Sequence, residues 1–151
     1  MKNQEKSAER QAKRLRTKKL IRLGLLCELT GIIYLPQELV LGHLMNFNRT
    51  FTPTMIDEGK RIFESLDQYD STKANSLTTD DRRHRNHDLI TFGALFEIAN
   101  LDKPLNVLAG YLTQITTSDQ YYKNTCILEG TTYFLKLKQE KHQAKKELLY
   151  F

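Results

Sequence analysis

The chain has 151 residues, of which 40% are hydrophobic and 27% are charged. This composition is typical of one compact domain, or of two small domains that share a core, and it excludes a membrane span because every apolar segment is shorter than the roughly 20 residues that one needs. The net charge of +5 is unevenly distributed: residues 1–23 contain nine Lys or Arg and two Glu, residues 132–151 contain five Lys and two Glu, and the residues between them are acidic. Two positive ends indicate a polyanionic partner or an acidic protein surface.

The first predicted element is a long helix that begins in the polar N-terminal residues and ends near Gly31. Its front, up to Arg22, is charged on all sides, and its continuation to Ile32 is almost wholly apolar. No proline interrupts this stretch. The pattern predicts a buried stem that carries a protruding basic N-terminal helix.

Two further helices are predicted in the first half of the chain. One follows Pro36 and covers Gln37–Asn46, and the next runs from Thr54 to about Leu66 with its start marked by Thr52 and Pro53. The polar residues that follow, rich in Ser, Thr, Asn and Asp, have the composition of a linker, which we place at residues 69–78.

The second half of the chain repeats the pattern of the first. Thr78 and Asp80 mark the start of its first helix, and residues of the basic stretch and the stem recur 69 positions later without a gap. The coinciding pairs include Arg14/Arg83, Arg16/Arg85, Leu20/Leu89, Gly24/Gly93 and Glu28/Glu97. Two later glycines, Gly42 and Gly59, recur as Gly110 and Gly130. Because a glycine inside a helix costs about 1 kcal/mol relative to alanine, we expect Gly24 and Gly93 to lie where helices approach closely.

These observations predict an all-α fold of two tandem three-helix units, each a helical hairpin with a third helix. Residues 1–68 hold the basic N-terminal helix and the first unit, and residues 79–151 hold the second unit and a basic C-terminal helix. Each unit is too small to be stable alone, so we expect one shared, pseudo-symmetric helical core. Cys27 and Cys126 are predicted to be free, buried thiols, since neither has a second Cys or a His at metal-ligand spacing.

The candidate functional residues are the cations that precede each stem. A helix that presents such side chains can neutralise several phosphates, although basic runs are also commonly just solvated helix faces. The candidate nucleic-acid-binding residues are Arg10, Lys13, Arg14, Arg16, Lys18, Lys19, Arg22, Arg82, Arg83 and Arg85.

Other chemistries find little support in the sequence. His84 and His87 lack a third metal ligand and stand among arginines that would repel a cation, and Asp80 and Asp81 are better explained by the helix dipole than by acid/base catalysis. No nucleophilic triad, phosphate-binding loop or dinucleotide fingerprint is present. We therefore expect no enzyme, no cofactor and no metal site.

The first half of the chain contains one extended pattern, in which a basic stretch with a threonine leads into a stem with Ile, Gly and Leu and then into a Leu-Gly dipeptide. Its residues are Arg14, Arg16, Thr17, Lys18, Lys19, Ile21, Leu23, Gly24, Leu26, Gly31, Leu39, Leu41, Gly42 and Leu44. This pattern resembles a known family, the small conjugal transfer protein TraD of Ti-type plasmids, which differs from the large TraD coupling ATPase. The second half departs from the pattern, with Asn86, His87 and Asp88 in place of Thr17, Lys18 and Lys19.

This resemblance implies a non-catalytic accessory protein of conjugative DNA transfer that works beside a relaxase. The expectation of a cytoplasmic protein comes from the sequence itself, because the basic N-terminus is not followed by the apolar core of a secretory signal. Its partners would be DNA, either a transfer origin or non-specific duplex, and the relaxase or other conjugation proteins, while self-association stays open. The alternative is a protein-binding adaptor whose basic arm docks on an acidic surface of a relaxase or of a type IV secretion component.

Overall fold

The computed structural model describes residues 2–150, and within that range the chain is helical and contains no β-strand. The prediction of an all-α fold is confirmed for this part of the chain. None of its helices combines the length and the apolar character that crossing a membrane requires. A short 3₁₀ turn at Ile32–Tyr34 accompanies seven α-helices: α1 Lys2–Leu29, α2 Gln37–Met45, α3 Phe47–Thr50, α4 Met55–Asn75, α5 Thr79–Ile98, α6 Leu105–Thr117 and α7 Gln120–Tyr150.

The helix ends follow the local sequence signals. After α1, Gly31 adopts a φ of 80°, a left-handed conformation that glycine reaches without steric cost. At the start of α5, the Thr78 hydroxyl accepts a hydrogen bond from the backbone N–H of Asp81 at 3.2 Å. This contact is a side-chain N-cap, and it satisfies one of the amide donors that a helix leaves unpaired in its first turn.

The structure corrects the predicted linker. Residues 69–75 form the last two turns of α4, which continues to Asn75, and only residues 76–78 connect α4 to α5. The segment is polar because none of its residues is buried, each being exposed or half-buried. Two of its side chains, Tyr69 and Asp70, bind residues of α1 and α5, and these contacts hold the segment in helical form.

The core is built from three antiparallel helix pairs, α1 with α5, α2 with α7, and α4 with α6. Glycines mark each crossing. Gly24 of α1 lies against the backbone of Leu89, and Gly93 of α5 lies against the backbone of Leu20. Because a Cβ at either glycine would overlap a carbonyl oxygen of the other helix, the two backbones are in direct contact. The prediction that Gly24 and Gly93 lie where helices approach closely is confirmed.

The other two crossings have the same construction. Gly42 of α2 meets the backbone of Cys126, and Gly130 of α7 meets that of Glu38. In the third pair Gly59 meets Asn106, while Gly110 meets Met55. Each contact of the α2 and α7 pair has its counterpart, at the aligned positions, in the α6 and α4 pair.

The helices of the two predicted units are therefore interleaved. The third helix of each unit packs on the second helix of the other unit, and the two stems pack on each other. That the two units superpose as wholes stays a prediction.

Between α2, α6 and α7 the core contains a buried polar group, His43, whose side chain is accommodated by two tyrosines. Its ring stacks on that of Tyr111 at a centroid distance of 3.9 Å. Its Nδ1 lies 2.7 Å from the Tyr122 hydroxyl and its Nε2 lies 2.9 Å from the backbone carbonyl oxygen of Tyr111. A neutral ring with its proton on Nε2 satisfies both contacts, and burial lowers the pKa of His43 to about 4. Cys27 and Cys126 are free and buried, as predicted.

Replacing Gly24 by Ala should destabilise the protein even though alanine favours helix formation. The new methyl group would lie 2.6 Å from the Leu89 Cα, so the stems must move apart, at a cost of about 1 to 3 kcal/mol. Urea unfolding followed by circular dichroism measures the change. Ser7→Ala on the exposed front of the same helix is the matched control, and a Gly24→Ala protein as stable as this control would contradict the crossing.

The stability of the protein should fall as the pH is lowered through the range in which His43 takes up a proton in the unfolded chain. The folded pKa of about 4 lies below the ordinary value of 6.5, so the unfolded state binds more protons between these values. The free energy of unfolding should therefore decrease from pH 6.5 to pH 4 by up to roughly 3 kcal/mol. His43→Gln removes this contribution, so the difference in stability between the two proteins should shrink toward pH 4. A difference in the free energy of unfolding that stays constant from pH 6.5 to pH 4 would refute this prediction.

Candidate nucleic-acid interface

The first two thirds of α1 project from the core as an exposed helix. Every residue of Lys2–Lys19 is exposed, whereas the next residue, Leu20, retains only 2% of its accessible surface. The segment is rich in Lys, Arg, Glu, Gln and Ala, which are good helix formers, so it continues the buried stem without a break. We refer to Lys2–Lys19 as the basic arm.

Three of the candidate cations lie at the base of the arm and are paired with carboxylates of other elements. The Arg16 guanidinium donates two hydrogen bonds to Glu97 of α5, at 3.1 and 2.8 Å. Lys19 lies 3.3 Å from Asp102, and Arg22 lies 3.3 Å from Asp67 of α4. The hydrogen bonds to Glu97 raise the pKa of Arg16. These exposed pairs add little stability, but they orient the arm and neutralise its base.

Four other candidate cations of the arm are different. Within residues 2–150, Arg10, Lys13, Arg14 and Lys18 form no salt bridge, and all four side chains are exposed. Arg10, Arg14 and Lys18 follow one another at four-residue spacing, so they share one strip of the helix surface. Among the candidate residues of the arm, these four cations therefore carry the unneutralised positive charge.

The three arginines at the start of α5 divide in the same way. Arg83 is exposed, and Arg82 is exposed with its Nε donating to the carbonyl oxygen of Ala74 at 2.9 Å. Arg85 is turned into the protein, where only 9% of its side chain is accessible.

Arg85 is bound by a cluster of buried and half-buried groups. It donates three hydrogen bonds to Glu28 at 2.8 to 3.1 Å and one to Asp70 at 3.1 Å. Glu28, 7% exposed in its side chain, also accepts a hydrogen bond from the Tyr69 hydroxyl at 2.9 Å. Burial, with the hydrogen bond to Glu28, raises the pKa of Tyr69 to about 12. Because its donors are occupied by carboxylates, we leave Arg85 out of the interface proposed below.

Sequence reasoning missed this cluster, although a signal for it was present. The buried pair Glu28–Arg85 and the exposed pair Glu97–Arg16 occupy aligned positions in the two halves of the chain. In antiparallel stems that cross at Gly24 and Gly93, these positions face each other. The recurrence of both an arginine and a glutamate at one offset therefore indicated two ion pairs between the stems.

No metal-binding cluster accompanies these cations in the described part of the chain. Residues 2–150 contain no group of three or more His, Cys, Asp or Glu side chains that is placed to hold a metal ion. His84 and His87 are both exposed, and the charged residues around them are arginines and aspartates.

Part of the first half of the chain is similar to a known family. Residues 10–65 match the family model of the conjugal transfer protein TraD. The resemblance to TraD is therefore confirmed over these residues, and the match covers the arm from Arg10 onward, the stem, α2 and the first half of α4. It does not extend into the second half. No curated protein sequence and no solved structure matches the chain.

Loss of Arg85 should be far more costly than loss of its counterpart Arg16. Arg85→Ala leaves Glu28 without its charge partner, at a cost of roughly 3 to 5 kcal/mol, because breaking a buried pair strands the remaining charge. Arg16→Ala removes an exposed pair and should leave the unfolding midpoint almost unchanged. Chemical denaturation of both variants tests the difference. Similar midpoints for the two would show that the cluster does not stabilise the fold.

Proposed function

We propose that this protein is a non-catalytic accessory factor of conjugal transfer that binds duplex DNA through the unpaired cations of the basic arm. The TraD match over residues 10–65 supports the biological context, since the matched family is one of conjugal transfer proteins. The observation that carries the DNA-binding proposal is the set of exposed, unpaired cations at Arg10, Lys13, Arg14 and Lys18.

The interaction is electrostatic. An exposed helix can lie along a groove and place its cations against phosphates, and each phosphate neutralised releases condensed counterions. The binding energy then comes from charge and falls steeply with salt. The paired cations Arg16, Lys19 and Arg22 serve a different purpose in this proposal, since they fix the direction in which the arm leaves the core.

The second half of the chain contributes less to such an interface. Of its three candidate arginines, only Arg82 and Arg83 are exposed, and Asp80 and Asp81 immediately precede them. We therefore expect α5 to contribute little to DNA binding. The protein would assist a relaxase while its arm is bound to the DNA.

Titration of labelled duplex DNA at several salt concentrations tests the proposal. For three to six phosphate contacts, the logarithm of the affinity should fall with the logarithm of the salt concentration with a slope of roughly −3 to −5. Replacing Lys13, Arg14 and Lys18 by Gln should weaken binding strongly and make the slope shallower by up to about 3. Replacing Arg82 and Arg83 should weaken binding less.

The matched control is the triple replacement of Lys60, Arg61 and Lys103 by Gln, which removes the same charge from exposed positions outside the arm. Its affinity should stay close to that of the unmodified protein. Equal losses in the two triple variants would indicate a response to net charge alone. No binding at low salt would reject DNA as the ligand and favour the adaptor whose arm docks on an acidic protein surface.

A further inference from the structure

Helix α7 presents a second, chemically different surface. Its first half packs on α2 through Cys126 and Gly130, which leaves the opposite side in solvent. Beyond Leu137 the helix leaves the core, and residues 138–149 are all exposed. The side of α7 that is turned away from α2 is therefore continuous from Tyr121 to Leu149.

Large apolar side chains follow this side at seven-residue spacing. Tyr121 is 82% exposed, Leu128 is 68% exposed and Leu135 is 55% exposed. Leu149 continues the same line after two more heptads and is 83% exposed. Helices that pack on one another carry two apolar positions in each seven-residue repeat, and the seam residues of α7 occupy one of the two. We call this surface the α7 seam.

Lysines accompany the seam, and carboxylates are kept away from it. At 3.6 residues per turn, the seam residues fall within an arc of about 120° that also includes Lys138, His142, Lys145 and Lys146. The three glutamates of α7 fall within about 20° of one another, on a separate strip. They are Glu129, Glu140 and Glu147.

This chemistry distinguishes α7 from the basic arm. On the arm the single large apolar side chain exposed among the described residues is Leu15, whereas α7 exposes five, four of them in the regular spacing of the seam. A phosphate backbone has no apolar surface on which regularly spaced leucines could pack. A second copy of α7 is also a poor occupant, since two seams in contact would bring their lysines together.

We propose that the α7 seam is the docking site for an acidic amphipathic α-helix of a partner protein. The apolar side chains of such a helix would pack on Leu128 and Leu135, and its flanking carboxylates would pair with Lys138, Lys145 and Lys146. The charges along the seam would favour an acidic helix over a basic one. A basic helix with the same apolar pattern would meet four like charges, counting Lys141 beside the seam.

The exposed residues 138–149, which we call the extension of α7, would be stabilised by such a partner. A helix of about twelve residues with no tertiary contacts is marginally stable in water, and Leu149 at its end is left in solvent. Docking would bury the seam and stabilise the extension. The first half of α7 is already fixed by its glycine crossing with α2, so it provides a rigid start for the interface.

The test uses the full-length protein and two synthetic peptides of three heptads. Both peptides carry Leu at the positions that would pack on the seam. In one peptide Glu residues flank these leucines, and in the other Lys residues flank them. Fluorescence anisotropy should show binding of the acidic peptide and none of the basic peptide. Leu128→Ser with Leu135→Ser, and separately Lys145→Glu with Lys146→Glu, should each weaken binding at least about tenfold. Hydrogen exchange should slow in residues 138–149 on binding. Leu15→Ser is the control and should bind as the unmodified protein does.

Other occupants are recognised by different outcomes. Equal binding of both peptides, or full binding by the Leu128→Ser and Leu135→Ser variant, would overturn the proposal. A loss of duplex DNA affinity in the Lys145→Glu and Lys146→Glu variant as large as that of the arm variant would identify a nucleic-acid surface instead. A dimer in sedimentation velocity that the leucine replacements abolish would identify a second copy as the occupant. The peptide assay does not depend on DNA binding, so it stands or falls separately from the proposed function.

Discussion

Backbone contact at glycine is the constraint on which the rest of this structure depends. At each of the three helix crossings, two glycines allow the carbonyl oxygens of one helix to sit where a Cβ of the other would be. Such close crossings bring many apolar side chains together, and in a chain of this size they offset the cost of glycine inside a helix. The pairing of α2 with α7 and of α4 with α6 also links the two halves of the chain, so that neither half has a complete core by itself.

The crossing of the stems has an electrostatic consequence. It places an arginine of each stem opposite a glutamate of the other, yet the two pairs differ in environment. Glu28 and Arg85 are buried because the end of α4 covers them with Tyr69 and Asp70. Glu97 and Arg16 stay in solvent, because the corresponding part of α7 leaves the core as an exposed helix. One geometry thus produces a buried structural ion pair and an exposed pair that orients the basic arm.

The two exposed helix ends have unlike surfaces, which fits a protein that joins two kinds of partner. The arm at the N-terminal side is cationic and has little apolar surface, as suits a polyanion. The α7 seam combines leucines with lysines, as suits an acidic helix. Both contacts would serve the accessory role in conjugal transfer that we propose, since a factor that assists DNA processing gains from binding the DNA and a protein of the transfer machinery together.

Local patterns in the sequence determined much of the helical structure of this protein. It was enough to predict the all-α fold, the uninterrupted α1 with its basic front, the Thr78 cap, the buried cysteines, the close approach at Gly24 and Gly93, and the resemblance to TraD, because periodicity, capping and glycine spacing act over a few turns. Only the tertiary structure decided which helices cross, that α4 continues to Asn75, and that Arg85 is buried while Arg83 is exposed. These outcomes depend on contacts between residues far apart in the chain, such as Arg85 with Glu28 or His43 with Tyr111, and the burial of a polar group is set by what covers it rather than by its neighbours in sequence.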